Sequence, residues 1–347
     1  MPTLTSTFQR VTRWSLFKVR GNMRAVLVEQ YDSIENIQIK EVQTPVPGAG
    51  QVLVKVKAAS VGFVEGLKVR GLYQTKDPLP FTPGMEFSGV IEAISDDVEG
   101  LVPGTQVMGT AGNGALAEYV VANASSVYPM PDGLTSEIGA SFYVNYLTAL
   151  YALSGRAWLK PGERLLVLGA TGGTGIAAIQ VGKLMGAEVI AAASTQEKRD
   201  AAIRIGADAT VDYTQHDWRD ALKEATAGKG PDVIFDPVGG AIADQAFRSI
   251  AWNGRYIVVG FASGEIPALK FNLPLLKGGI LVGVDAAQIE KREPEIYRQV
   301  MDQLLNWLES GALKPAVGEV FDFENFHEAF RRMQARTAIG KMVIRIS

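Results

Sequence analysis

The chain has 347 residues, a net charge of −3, 47% apolar and 20% charged residues, and no cysteine. Disulfides, cysteine-ligated zinc and cysteine nucleophiles are therefore excluded, and the charge balance gives no reason to expect a nucleic-acid partner. The length exceeds one ordinary core, so two domains are expected, and no stretch approaches the ~18 uninterrupted apolar residues of a membrane-spanning helix.

The first 22 residues carry Arg10, Arg13, Lys18 and Arg20 and no acid. They read as an N-terminal extension upstream of a start at Met23; a mitochondrial transit peptide is the alternative. The expected compartment is the cytoplasm. From Met23 onward, "MRAVLVEQY", "NIQIKEV" and "QVLVKVKAA" alternate as strands do, with Val52, Val54 and Val56 on one face and Lys55 and Lys57 on the other. Turns such as "PVPGAG" separate them. "GVIEAIS" and "ALAEYVVA" carry this pattern to Pro131, giving a β-rich domain.

"TSEIGASFYVNYLTALYALSG" reads as a buried helix capped by Thr135 or Ser136 and ended by Gly155. Apolar strands and helices then alternate: "RLLVLGA", a helix from Gly173, "EVIAAA", a helix from Thr195, "ATVDY", a helix near Trp218, "DVIFDPV", a helix from Ala241, "RYIVVGF" and "GILVGVD". That order predicts an α/β, doubly wound parallel sheet of the dinucleotide-binding kind. After Asp285 come a helix near Glu293 to Ser310, "PAVGEVF", a short helix in "FENFHEAFRRM" and a last strand "KMVIRIS". These pieces are too few for a third domain. The expected partition is 23–144 with 286–347 for the β-rich domain, and 145–285 for the parallel sheet.

"LLVLGATGGTGIAAIQ" is a strand, a glycine turn and a helix, with Ala170, Gly172 and Gly175 in the three glycine places. Gly172 lets the backbone approach a pyrophosphate, Gly175 allows close helix–strand packing, and Gly173 and Thr174 open the helix, whose N–H groups suit an anion. The next strand, "EVIAAA", lacks the acid that holds an NAD ribose. Ser194 and Glu197 form a capping-box pattern, leaving Ser194, Lys198 and Arg199 toward the ribose. A hydroxyl and cations suit a 2′-phosphate, so NADPH is the expected cofactor, favoured by about tenfold to a thousandfold over NADH. Tyr213, after the third strand, is expected beside the adenine.

Together, "LPFTPGMEFSGVIEAI", "LKPGERLLVLGATGGTGIAAIQVGKLMGAEVIA", "IGADATVDY", "DVIFDPVGG" and "GRYIVVGFASGEIP" make Met23 to Ser347 resemble the medium-chain dehydrogenase/reductase superfamily, specifically its zinc-independent quinone oxidoreductase branch. The resemblance implies a GroES-like catalytic domain and a Rossmann domain with the active site between them. It also implies NADPH as hydride donor and a homodimer joined through the Rossmann sheets. It adds Thr148, Gly260, Phe261, Ala262 and Arg336 as cofactor contacts. Zinc-dependent relatives read "GHE" where this chain has Gly84-Met85-Glu86, so no catalytic metal is expected. His216 and His327, both assigned to helical stretches, are read as solvated or packed.

Without a metal, negative charge growing on a carbonyl oxygen needs preorganised hydrogen-bond donors and a proton source. Tyr73 is the first candidate, by its place in a loop lining the cleft and by alignment with the tyrosine of 2-enoyl thioester reductases. Asn145 and Tyr146 are candidates for the pocket wall. Gly62, where relatives often carry Asn, implies a wider pocket beside Phe63. The expected activity is NADPH-dependent reduction of quinones or other α,β-unsaturated carbonyl compounds, small molecules handled without nucleic acid or membrane. A 2-enoyl-CoA/ACP reductase and a non-catalytic, crystallin-like NADPH-binding protein are the alternatives. The former requires a basic rim, for which the sequence offers only the scattered Lys68, Arg70 and Lys76.

Overall fold

The computed structural model describes residues 21–347; the expectations for residues 1–20 lie outside it. The alternation around Val52 does build a strand, in which Val52, Val54 and Val56 are buried and Lys55 is exposed. In chain order the β-rich part comprises β1 (Asn22–Leu27), β2 (Gln38–Gln43), β3 (Gln51–Val61), α1 (Phe63–Val69), β4 (Glu86–Ile94), β5 (Gln106–Thr110), β6 (Tyr119–Asn123) and β7 (Val127–Pro129). Helix α2 (Ser136–Leu150) follows, with Thr135 as its cap, accepting the N–H of Ile138. Gly155 does not end this helix. The chain continues as a π-helical turn over Tyr151–Arg156, and a Cβ at Gly155 would lie 2.9 Å from the Tyr151 ring, so this glycine serves packing.

The alternating region forms β8 (Arg164–Leu168), α3 (Gly173–Leu184), β9 (Glu188–Ala192), α4 (Gln196–Ile205), β10 (Ala209–Val211), α5 (Trp218–Ala225), β11 (Val233–Asp236), α6 (Ala241–Ser249), β12 (Arg255–Val258), α7 (Asn272–Lys277) and β13 (Ile280–Gly283). The six strands pair in parallel in the order β10-β9-β8-β11-β12-β13. The order reverses between β8 and β11, which opens a crevice at the carboxyl ends of the strands.

The remainder is α8 (Ile289–Arg292), α9 (Pro294–Glu309), β14 (Val317–Asp322), α10 (Phe326–Gln334) and β15 (Lys341–Arg345). Strands β14 and β15 join the β-rich sheet, ordered β14-β15-β3-β4-β5-β7, with β6 also on β3. Helix α9 does not go with them. Its Tyr297, Val300, Met301, Leu304 and Leu308 are buried in one cluster with α2 and the apolar faces of β8 and β9. Pairing with the β-rich sheet therefore resumes at Val317 rather than at 286. His327 lies in α10, its Nε2 2.9 Å from the Ile37 carbonyl, whereas His216 is exposed in the turn before α5 and not in a helix. Among the described residues no helix is long and apolar enough to cross a membrane.

A buried ion pair joins these parts. Glu86, at the start of β4, is fully buried. One carboxylate oxygen accepts the backbone N–H of Val144 in α2 at 2.6 Å. The other accepts the Ser60 hydroxyl at 3.0 Å and the Lys341 ammonium at 2.6 Å. Glu65 is buried beside them and accepts the Gly62 N–H at 2.8 Å. Burial alone would lower the Lys341 pKa, but the Glu86 and Glu65 carboxylates outweigh it and hold the pKa above the ordinary lysine value. Removing one partner strands the other charge in the interior, so Lys341→Ala is expected to cost about 3–5 kcal/mol in urea unfolding. An unchanged midpoint would show that the pair carries no such weight.

Candidate active site

Strand β8 delivers the chain into the crevice through Gly169, whose φ of +57° is the left-handed conformation glycine adopts freely. Ala170 is fully buried and its N–H is taken by the Ala192 carbonyl at 3.2 Å, so this backbone bond ties the turn to β9 and leaves no donor there for a ligand. A Cβ at Gly175 would fall 2.4 Å from the Gly169 carbonyl oxygen, so glycine is required there for the helix to approach the turn. Gly172 is different. A Cβ there would meet only the Gly169 carbonyl oxygen, at 3.5 Å, an ordinary contact. No protein atom demands a glycine at 172, and the space it leaves lies before the N-terminus of α3.

Asn145 does not face the substrate pocket. It sits under the glycine turn, accepting the Thr174 hydroxyl at 3.2 Å, and lies 2.8 Å from where a Cβ of Gly173 would be. Tyr146 is a core residue, donating to Gln180 at 2.7 Å and accepting the Ala316 N–H at 3.4 Å. Gly62 faces Glu65 and Lys341 behind the pocket wall: both side chains lie 3.0 Å from its virtual Cβ. These three expected pocket residues therefore support the pocket without lining it.

At the end of β9 the cap is Thr195, whose hydroxyl accepts the Lys198 N–H at 3.3 Å, and not Ser194 with Glu197. Ala193 and Ser194 are needed to lead the chain out of the sheet, so the helix begins one residue later. Arg199 points back to the sheet and pairs with Asp212 at 2.7 Å. Lys198 points away from it, donating to the Arg336 carbonyl at 2.6 Å, while the Arg336 guanidinium donates to the Ser263 carbonyl at 2.8 Å. Burial lowers the Lys198 pKa, with the Glu197 charge opposing it. Tyr213, after β10, packs half-buried against the sheet. Gly340 follows Arg336 closely, and its N–H donates to Thr171 in the glycine turn at 2.8 Å.

Further along the same sheet edge, a cavity of about 1470 Å³ opens between the two domains. Phe63, Tyr73 and Met85 line it from the β-rich side, Thr148 from α2, and Gly260 and Phe261 from the end of β12. The N–H of Ala262, next in the chain, is taken by the Pro237 carbonyl at 3.0 Å. Burial raises the Tyr73 pKa, and the Asp285 charge raises it further, so the phenol stays a donor at neutral pH. Sequence reasoning missed Tyr143 and Leu147 of α2, Tyr151 in the turn after it, and Tyr297 of α9, all on the cavity wall. Positions 143, 147 and 151 share one helical spacing, but positions 142, 146 and 150 share it too and are as apolar, so the pattern alone does not choose between the two faces. No local pattern points to Tyr297.

The donor set does not suit a metal. The chain lacks cysteine, Met85 stands on the wall, and among the described residues no three His, Asp or Glu side chains converge. One buried cation behind that wall is the Lys341 ammonium.

A β-rich domain and a doubly wound sheet, with a glycine turn and a phenol-lined cavity sharing the cleft between them, define a two-domain, dinucleotide-binding type of oxidoreductase. Comparisons agree. Residues 48–132 match the alcohol dehydrogenase GroES-like domain, and residues 173–306 match a family described as zinc-binding dehydrogenase. The chain is 35% identical over 309 residues to quinone oxidoreductase-like protein 2 of Rattus norvegicus, covering 89% of this chain and 88% of that one. It is 32% identical over 325 residues to human quinone oxidoreductase, covering 93% and 97%. The Thermus thermophilus quinone oxidoreductase, solved alone and with NADPH, superposes with a TM-score of 0.81 at 31% identity, covering 93% of this chain and all of that one. The chain belongs to the medium-chain dehydrogenase/reductase superfamily, in its quinone oxidoreductase branch.

Proposed function

We propose that this protein is an NADPH-dependent reductase that passes hydride to quinones or other α,β-unsaturated carbonyl compounds without a metal. The observation that carries this reading is the shared sheet edge: a glycine turn shaped for a diphosphate adjoins a cavity lined by phenols, amides and a few charged side chains, among which no three potential metal ligands converge in the described residues. The known relatives and the NADPH complex of the Thermus enzyme support it.

The residues fit the dinucleotide. Gly172 leaves room before α3, where the N–H groups of Gly173, Thr174 and Gly175 lack the partners that later turns of a helix provide. Ser194, Lys198 and Arg336 gather where a 2′-phosphate would lie, with Tyr213 near the adenine. Arg199 contributes at most through its remaining donors, since Asp212 already holds it. Thr148, Gly260, Phe261 and the backbone at Ala262 border the reacting end. When bound, NADPH supplies the hydride. The chain's own task is to hold the acceptor carbon in place, exclude water and meet the charge that develops on the carbonyl oxygen. Tyr73 is placed to donate a hydrogen bond or a proton there.

The three cations expected at a thioester rim are each engaged within the protein, while Arg156 and Arg292 stand on the cavity wall. Lys68 is buried and bound to the Gly112 carbonyl, Asn113 and Asp77, while the Arg70 guanidinium donates to the Gly66 carbonyl. Lys76 lies over the Tyr31 ring.

A homodimer is the assembly this reading favours. Edge strand β13 exposes Ile280 and Leu281 by about half, and Phe271, Leu275 and Leu276 beside it are more exposed still. A second copy adding its own β13 edge would cover them. Sedimentation should give a dimer that Leu281→Lys dissociates; a monomeric parent protein would remove this assembly.

NADPH oxidation with 9,10-phenanthrenequinone tests the activity, and its absence would favour a binding protein. Lys198→Glu should raise the KM for NADPH by more than tenfold relative to NADH, about 1.4 kcal/mol or more of lost discrimination. An unchanged preference would take Lys198 out of the phosphate site. Tyr73→Phe should lower kcat on an enone by roughly 10²-fold if the phenol supplies the proton. If kcat is untouched, the proton comes from water.

A further inference from the structure

Where α2 and α9 meet β7, three phenols are left unused by the function above. Tyr297 of α9 stands between two others. Its hydroxyl is 2.9 Å from that of Tyr128 at β7 and in close contact with that of Tyr143 on α2. Tyr143 and Tyr297 are only 4% and 5% exposed, and both line the cavity. Of the nearby carboxylates, Glu293 accepts the Tyr151 hydroxyl at 2.9 Å with Arg156 3.8 Å away, and Glu290 accepts the Ser125 hydroxyl at 3.3 Å.

A phenol carries one proton and can donate only once. Three phenols therefore hold three protons, and the two contacts between them consume two. Tyr297 cannot donate to both neighbours. Either the row runs from end to end, leaving a terminal O–H over, or both ends donate to Tyr297 and its own O–H is left over. Among the described residues these hydroxyls make no other hydrogen bond. Burial, with the neighbouring phenols and acids, holds all three pKa values above the ordinary phenol range, so the proton count stands at neutral pH. Two of the three places for the surplus donor open on the cavity. A buried donor without a partner is costly, and an acceptor oxygen arriving there relieves that cost.

Tyr143 lies five residues before Thr148 on α2, about 7.5 Å along the axis. Val144 and Leu147 supply an apolar wall between them.

We propose that Tyr143 and Tyr297 form a donor subsite for a second carbonyl oxygen of the substrate, selecting ring quinones over enones with a single carbonyl; this rests on the reductase reading above. One carbonyl lies toward Thr148 and Tyr73, and the other accepts the surplus phenol proton as a hydrogen bond. The subsite binds and orients; the two electrons still arrive as hydride and the proton from Tyr73 or water.

The test is the ratio of kcat/KM for 1,4-naphthoquinone to that for 2-cyclohexen-1-one, with NADPH, in the parent protein and in Tyr143→Phe/Tyr297→Phe. Loss of one productive hydrogen bond should lower the ratio by about tenfold. An unchanged ratio, including an equal loss on both substrates, overturns the subsite and leaves the phenols as wall. If the double variant does not fold, Tyr143→Phe alone must lower the ratio by about threefold, and an unchanged ratio overturns the proposal equally. A parent protein that reduces neither substrate overturns the reductase reading itself, and the subsite with it.

Discussion

The Glu86 carboxylate is the point where the parts of this molecule meet. It lies in β4, grips a backbone N–H in the middle of α2 and holds the first residue of β15 through Lys341. Each attachment belongs to a different segment of the chain, so no local propensity could have set their relative positions. An unpaired carboxylate at that depth would be untenable, which makes the ion pair a constraint more than a bonus. It fixes the rotation of α2, and with it which residues reach the cavity: Tyr143, Val144, Leu147 and Thr148 line it, while Asn145 and Tyr146 turn toward α3 and the segment before β14. The residue before Lys341 also touches the glycine turn, through the Gly340 N–H and the Thr171 carbonyl. One buried charge thus registers the turn and the cavity wall against each other.

The same pair bears on the chemistry. A lysine ammonium has no empty orbital and cannot polarise a carbonyl as a Lewis acid does; here it is also neutralised by the carboxylates around it. Stabilisation of an oxyanion then falls to O–H and N–H donors that reach the cavity. Tyrosine suits that task because burial raises its pKa and keeps the proton in place, whereas burial of a lysine weakens its charge. The abundance of phenols on this wall goes with the want of three converging metal ligands among the described residues.

Much of the architecture was legible because its signals are local. Six apolar runs, each closed by glycine, proline or a polar turn, announce a parallel sheet, and the turn at Gly169–Gly172 sits where a strand gives way to a helix. Errors arose where two local patterns overlapped or where none existed. Ser194 and Thr195 are both plausible caps, and only the exit of the chain from the sheet decides between them. Gly155 looks like a helix terminator but makes room for the Tyr151 ring. Helix α2 is apolar almost all round, so nothing in its own pattern distinguishes Tyr143 from Tyr146. Tyr297 is brought to Tyr143 from 154 residues away, and no spacing rule reaches that far.

The contacts at Lys198 and Arg336 also temper the cofactor preference expected from composition alone. Both side chains already donate to backbone carbonyls, of Arg336 and of Ser263. A phosphate on the ribose would not meet two idle cations; it would share their remaining N–H donors with two neutral acceptors or displace those acceptors. Where it displaces one, the gain is the difference between an ion–ion hydrogen bond and an ion–neutral one, about 1 kcal/mol for each donor. Two such exchanges at a half-solvated edge give discrimination of roughly tenfold to thirtyfold, the lower end of the range a free pair of cations would support. Since Arg336 belongs to the segment leading to β15, that exchange also loosens a contact between the domains, so choosing the phosphorylated nucleotide and adjusting the cleft draw on the same two hydrogen bonds.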